Sequence, residues 1–204
     1  MPRTSEVTLE HAPCPLGCPQ GDRAVLTGRE RLHGLPGEFT VVQCATCGLM
    51  RTDPRPNSDS IGRFYPDEYG PYRDTRIDPD LGAAPIDTRW KALLRSVLAP
   101  DSRRIPRLQP GRMLEVGCAS GAFLAQMAHA GWEVSGVEFS ETAGQAARSL
   151  GYRVHIGALD TAPAPDPDRL YDLVVAWMVL EHLPNPVQAL RRLAAWSSPG
   201  AWLA

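Results

Sequence analysis

The residues of this 204-residue chain with chemistry to offer are four paired cysteines, two glutamates beside glycine-rich turns, and a histidine in a polar turn. Cys14 and Cys18 are separated by three residues, Cys44 and Cys47 by two, and 25 residues lie between the pairs. The second pair, Cys-Ala-Thr-Cys-Gly, has the form of a zinc knuckle, in which backbone amides of the turn support the thiolates. The first pair is one residue longer but stays within the ligand spacing of ~2–4 residues found in structural zinc sites. Four thiolates close a tetrahedral shell and leave no open position for catalysis. The spacing therefore predicts a structural zinc held by Cys14, Cys18, Cys44 and Cys47, with unligated thiols as the alternative reading. His11 and His33 are substitute ligands should one cysteine fail.

The second constellation is Leu114–Leu124, Leu-Glu-Val-Gly-Cys-Ala-Ser-Gly-Ala-Phe-Leu. Gly117 and Gly121 let the backbone turn sharply and approach a ligand with no Cβ in the way. Glu115, at the end of an apolar run, can attract a ligand ammonium. Glu138 ends the next apolar run, placed to accept both hydrogen bonds of a ribose diol. Cys118, inside the turn, reads as a small buried filler and not as a nucleophile. His182, with Glu181 beside it, is the best candidate for a general base; the plainer reading is that the two brace a loop. Tyr65, Tyr69 and Tyr72 either line an acceptor entrance or pack a Pro-rich connector.

These residues need a frame, and the second half of the chain supplies one. Met113–Val116 predicts a strand, Ala122–Ala130 a helix closed by Gly131, and Trp132–Val137 a second strand. Ser140 can cap a helix running to Leu150, and Tyr152–Ile156 predicts a third strand. Asp172–Ala176, Asp-Leu-Val-Val-Ala, reads as a buried parallel strand. Asn185-Pro186 opens a helix to about Trp196, Pro199-Gly200 marks a turn, and Ala201–Ala204 begins a fifth strand. Such alternation predicts an α/β fold, a Rossmann-like doubly wound parallel sheet incomplete after the start of strand 5. Before it, residues 1–60 predict a small zinc-ribbon-like β module with a strand near Phe39–Gln43. Residues 61–110 predict a connector with one helix over Trp90, Leu93, Leu94, Val97 and Leu98.

Leu114–Leu124 resembles motif I of class I S-adenosylmethionine-dependent methyltransferases, with Ala119 replacing its middle glycine. Gly136–Ala143 looks like the following ribose-binding motif, and Tyr171–Leu193 like the fourth-strand segment with its Leu-Glu-His-Leu turn. The resemblance implies that Glu115, Gly117 and Gly121 hold the methionine part of S-adenosylmethionine and Glu138 its ribose. The backbone at Ala158 and Leu159 would flank the adenine, and Ala158 stands where many relatives carry Asp. Cys118, Ala119, Phe139 and Trp177 complete the expected cofactor set. Some similar quinone-type O-methyltransferases use residues of the turn at Glu181 and His182 for metal or acceptor contact. The cysteine module, then Arg63–Tyr72, then motif I is similar to a bacterial group that includes sugar C-methyltransferases. The implied function is methyl transfer to a small-molecule or carbohydrate acceptor. Alternatives are a dinucleotide-binding domain, whose glycine fingerprint is poor here, and a non-catalytic S-adenosylmethionine-binding or zinc-dependent scaffold.

Net charge is −2, and residues 1–60 hold six Arg and no Lys against seven acidic side chains. The basic stripe of a nucleic-acid binder is missing, so no nucleic-acid partner is expected. No apolar run approaches the ~18 residues needed to span a bilayer, and the first 13 residues lack a signal-peptide core. A cytoplasmic location is expected, where disulfides are rare. An incomplete sheet would leave Leu173–Ala176 as an unpaired apolar edge, with Leu190, Leu193 and Trp196 partly bare. Self-association through that edge is the expected consequence.

Overall fold

The computed structural model describes residues 7–31, 34–65, 105 and 108–204. The chain divides into two compact units, residues 1–66 with 184–188, and residues 67–183 with 189–204. The helix expected over Trp90–Leu98, and Tyr69, Tyr72 and His33, lie outside the described residues.

The first unit contains β1 (Leu9–Glu10), β2 (Asp22–Arg29), β3 (Glu38–Cys44), β4 (Met50–Thr52), β5 (Arg55–Pro56) and the single-turn α1 (Ser58–Ile61). Strands β2, β3 and β4 form an antiparallel sheet with β3 in the middle, and β1 pairs with β5. Val42 and Cys44 are buried two residues apart on β3, the period that places both on one face. Every residue of β2 is exposed, so this edge strand carries no buried stripe. Arg51 ties the sheet to the first knuckle. Its two terminal nitrogens donate to the Asp22 carboxylate at 2.9 and 2.6 Å, and one of them also donates to Ala12 O at 3.0 Å. The hydrogen bond from Arg51 holds the Asp22 carboxyl below its usual range.

The second unit is the parallel sheet. Its elements are β6 (Arg112–Val116), α2 (Ala122–His129), β7 (Glu133–Glu138), α3 (Glu141–Ser149), β8 (Arg153–Ile156), β9 (Tyr171–Val175), α4 (Pro186–Ala195) and β10 (Ser197–Leu203). The strand order is β10-β9-β6-β7-β8, all parallel, which puts the first strand of the series at the centre. Ser140 Oγ accepts from Ala143 N at 3.3 Å and caps α3. Asn185 Oδ1 accepts from Gln188 N at 3.1 Å ahead of Pro186, the first residue of α4. One core cluster gathers Met113, Phe123, Leu124, Met127, Trp132, Ala147, Leu173 and Val175; a second gathers Leu114, Val116, Val137, Val174, Leu193 and Trp196. Among the described residues no helix is long and apolar enough to cross a membrane.

The last two strands correct the sequence reading. The fourth strand of the sheet spans Tyr171–Val175, one residue earlier than expected. Pro199-Gly200 does not separate a helix from a new strand: β10 starts at Ser197 and carries both residues within it, shifting register between Ser197 and Trp202. Trp202 and Leu203 pair with Leu173 and Val174, and Ala176 N donates to Ala204 O at 3.0 Å. The segment expected to be a bare edge is thus paired on both sides, and Leu173, Val174 and Val175 are each 0% exposed. Leu193 and Trp196 are buried as well, and of the three helix residues only Leu190 is exposed. Self-association through an unpaired Leu173–Ala176 edge loses its structural basis. Leu173→Ala should instead cost about 2–5 kcal/mol of unfolding free energy, the usual penalty for a buried Leu cavity. Urea melts would measure it; a loss near zero would mean that Leu173 is not packed as described.

Candidate functional site

The carboxyl end of β6 is where the chain turns most sharply. Gly117 has φ 74°, and a Cβ there would lie 2.6 Å from Val179 Cγ2, so only glycine fits between this turn and the segment after β9. Gly117 N and Cys118 N both donate to Val137 O, at 2.8 and 3.2 Å, which fixes the turn against β7. Ala119, at the position of the missing glycine, takes φ 47° with a Cβ present. Its N–H donates to Glu138 Oε2 at 2.8 Å, and Ser140 N donates to Glu138 Oε1 at 2.7 Å. Glu138 therefore has a role that the sequence does not show: it stitches the turn after β6 to the start of α3. Each carboxylate oxygen keeps a further lone pair for a ligand hydroxyl.

The electrostatics of this corner favour a cation. Glu115 is 4% exposed and Glu138 3% exposed. Burial pushes the Glu138 carboxyl up, opposed by the N–H groups of Ser140, Ala119 and Phe139. The Cys118 thiol is pushed far up by burial and then by the charges of Glu115 and Glu138. It stays protonated and is no nucleophile, and its Sγ packs where a Cβ on Gly136 would sit, 2.5 Å away.

The remaining expected residues distribute as follows. Phe139, directly after Glu138, is 51% exposed. Gly157 N donates to Glu138 O at 2.8 Å, which brings the start of the next loop beside β7. Ala158 precedes a 3-10 turn over Leu159–Thr161, and the Leu159 side chain is buried in the core. Trp177, just past β9, stands edge-on to Phe123 with ring centroids 5.8 Å apart, and its buried indole N–H has no hydrogen-bond partner. His182 ends a 3-10 turn over Leu180–His182, is exposed, and its N–H donates to Val179 O at 2.9 Å. Tyr65 is half-buried in the first unit. Sequence reasoning missed two residues here. Val179 closes over Gly117, and Met178 sits at φ 54° with 79% exposure, a conformation uncommon for any residue with a Cβ and one that no sequence signal announces.

In the first unit the four expected cysteines do meet: their sulfurs all lie within 4.8 Å of one another. Cys14 Sγ and Cys47 Sγ are 3.6 Å apart. Thiolates at ~2.3 Å from a tetrahedral zinc are ~3.8 Å apart, so the set fits such an ion. Each knuckle is closed by a glycine amide, Gly17 N to Cys14 O and Gly48 N to Cys44 O, both at 2.9 Å. The N–H groups of Cys47 and Thr46 hold the Cys44 thiol down to about 7, whereas a hydrogen bond with Cys47, above all, pushes Cys18 up to about 12. His11 is not in the cluster; its ring nitrogen lies 3.1 Å from Asp53 Oδ2.

The family model described as "Methyltransferase domain" matches residues 88–204. The "Ubiquinone biosynthesis O-methyltransferase" of Bordetella avium is 35% identical over 101 residues, 47% of this chain and 42% of that protein. The protein of the same name from Nitrosospira multiformis is 31% identical over 106 residues, 49% of this chain and 44% of the other. The chain thus spans less than half the length of these curated relatives. Among solved structures, a SAM-bound amino pentose methyltransferase from Micromonospora echinaspora is 24% identical with a TM-score of 0.41, over 57% of this chain and 47% of that one.

Proposed function

Since the chain belongs to the methyltransferase-domain family, we propose that it binds S-adenosylmethionine at the carboxyl ends of β6 and β7 and transfers its methyl group to an oxygen of a small molecule. The observation that carries this reading is the buried Glu138 carboxylate, anchored by Ala119 and Ser140 N–H groups beside the Gly117 turn. A nicotinamide dinucleotide would bring a pyrophosphate toward Glu115 and Glu138, whereas a sulfonium amino acid is attracted by them. The sulfonium supplies an activated methyl group, and in-line attack by the acceptor oxygen releases S-adenosylhomocysteine. The chain's part is to position and to exclude water. Gly117 and Gly121 admit the methionine portion, Glu138 accepts from the ribose, Phe139 and the backbone at Ala158 and Leu159 flank the adenine, and Trp177 and Met178 face the acceptor side. His182 takes the proton that the acceptor hydroxyl loses. An oxygen acceptor is favoured over a sugar carbon by the names of the curated relatives.

We further infer that Cys14, Cys18, Cys44 and Cys47 hold a structural zinc, a reading supported by the mutual distances of their sulfurs. The test of the catalytic reading is release of S-adenosylhomocysteine with a panel of phenols and sugars. His182→Ala should lower turnover of a phenolic acceptor by ~10²–10⁴-fold with little change in cofactor affinity. Unchanged turnover would make His182 a loop brace, and no turnover with cofactor bound would favour the scaffold reading.

A further inference from the structure

A groove of about 710 Å³ is lined by Arg112 and Leu114 of β6, Ser135 and Val137 of β7, and Arg153 and His155 of β8. Its volume lies in the range of small-molecule sites, ~300–1,000 Å³. Between β8 and β9 the chain gives only the 3-10 turn at Leu159–Thr161 and then a Pro-rich loop, so among the described residues no long helix follows β8. The groove's accessible apolar lining includes Pro163, Ala164 and Pro165, and Arg112, Arg153 and Arg169 stand at its wall. These three guanidinium groups converge on one carboxylate. Arg153 and Arg169 reach Glu133 Oε1 at 2.7 and 2.6 Å, and Arg112 Nε lies 3.3 Å from Oε2.

Three cations against one anion leave two positive charges uncompensated. Arg148 and Asp166 also line the groove and cancel each other, so the balance stands. Arg112 Nε is buried and, despite its charge contact, has no hydrogen-bond partner among the described residues. Burial raises the Glu133 carboxyl, but the charges of Arg112, Arg169 and Arg153 prevail and hold it below its usual range, so it is ionised and already committed. Arg153 and Arg169 are 64% and 51% exposed, and such ion pairs are weak enough for a better anion to take them over. Guanidinium groups suit phosphate because they offer paired donors to its oxygens.

We propose that this groove is a second ligand site, which takes a phosphate monoester with an apolar body. The dianion seats against Arg153 and Arg169, and the body lies against Pro163, Ala164 and Pro165. The site is independent of the methyl-transfer reading, since it uses none of those residues.

Calorimetry on the full chain with phenyl phosphate and with inorganic phosphate tests it. Phenyl phosphate should bind the more tightly of the two. The double variant Arg153→Ser with Arg169→Ser should weaken it by at least about tenfold, the loss expected from removing charge-assisted bonds. Glu133→Gln should tighten it, because a competing anion is removed while all three guanidinium groups remain; no unfolding artefact produces a gain. Absence of binding at millimolar ligand, equal affinity in the double variant, or weaker binding in Glu133→Gln would each overturn the proposal. Inorganic phosphate binding as tightly as the ester would overturn the assignment of an apolar body.

Discussion

Glu138→Ala should weaken S-adenosylmethionine binding at least about tenfold in calorimetry at neutral pH. A carboxylate accepting two ribose hydroxyls makes charge-assisted hydrogen bonds of ~1.5–3 kcal/mol each, and ~1.4 kcal/mol is a factor of ten. The variant also removes the acceptor for Ala119 N and Ser140 N, so the turn itself loosens. A pH series separates the two effects. Burial raises the carboxyl of Glu138, so the wild-type protein should lose cofactor affinity as pH falls, beginning above the ordinary carboxylate range. The variant should show no such dependence. Stability runs the other way for this group. Its raised folded pKa gives a contribution fully present below the unfolded pKa and lost as pH rises through the folded one. Unchanged affinity in Glu138→Ala would place the cofactor elsewhere.

The frame of this site is legible in the sequence because its strands are buried on both faces. Leu173–Val175 is continuously apolar, Met113–Val116 is interrupted only by Glu115, and Ser140 and Asn185 announce the helices that follow. What escapes is whatever lacks a buried pattern. Strand β2 is wholly exposed, so Asp22–Arg29 has no apolar alternation to betray it. Strand β10 carries Pro199 and Gly200, residues that ordinarily end a strand, but among the described residues its only partner is β9, and the register shift absorbs them. At the site, the place of Glu138 at the end of a strand is legible. Its bonds to Ala119 and Ser140 are not, because they depend on two turns meeting. The four cysteines are legible by spacing alone, since two knuckles at either end of one hairpin have few other ways to meet.

The second large effect concerns those cysteines. Reductively purified protein should contain about one zinc per chain, and Cys47→Ser should lose it. Structural zinc contributes ~10–16 kcal/mol in small zinc-binding peptides, far more than a module this thinly packed gains from Val42 and the buried cysteines. Residues 7–65 should therefore lose protection from proteolysis in the variant, or in wild type treated with a strong chelator. The parallel sheet has its own two core clusters and should keep its protection. Wild-type protein that carries no zinc by metal analysis would remove the assignment. Simultaneous loss of both units in Cys47→Ser would show that the sheet depends on the module.

The strand order also bears on how the molecule comes together. Strand β6 lies at the centre of the sheet yet comes first along the chain. It meets β7 after one short helix, but Met113 meets Leu173 only sixty positions on. Closing the shorter loop is less costly in chain entropy, so β6, β7 and β8 can associate before β9 joins. That early half already carries Glu115, Gly117, Gly121 and Glu138, and the chain leaves it through Ala158. Only Trp177 and its neighbours arrive with the late half, and Val179 then closes over Gly117. The part of the site proposed to face adenosine is thus a product of the first stage of assembly. A ligand present during synthesis could be held there, and would itself stabilise the half-built sheet against which β9 has to dock.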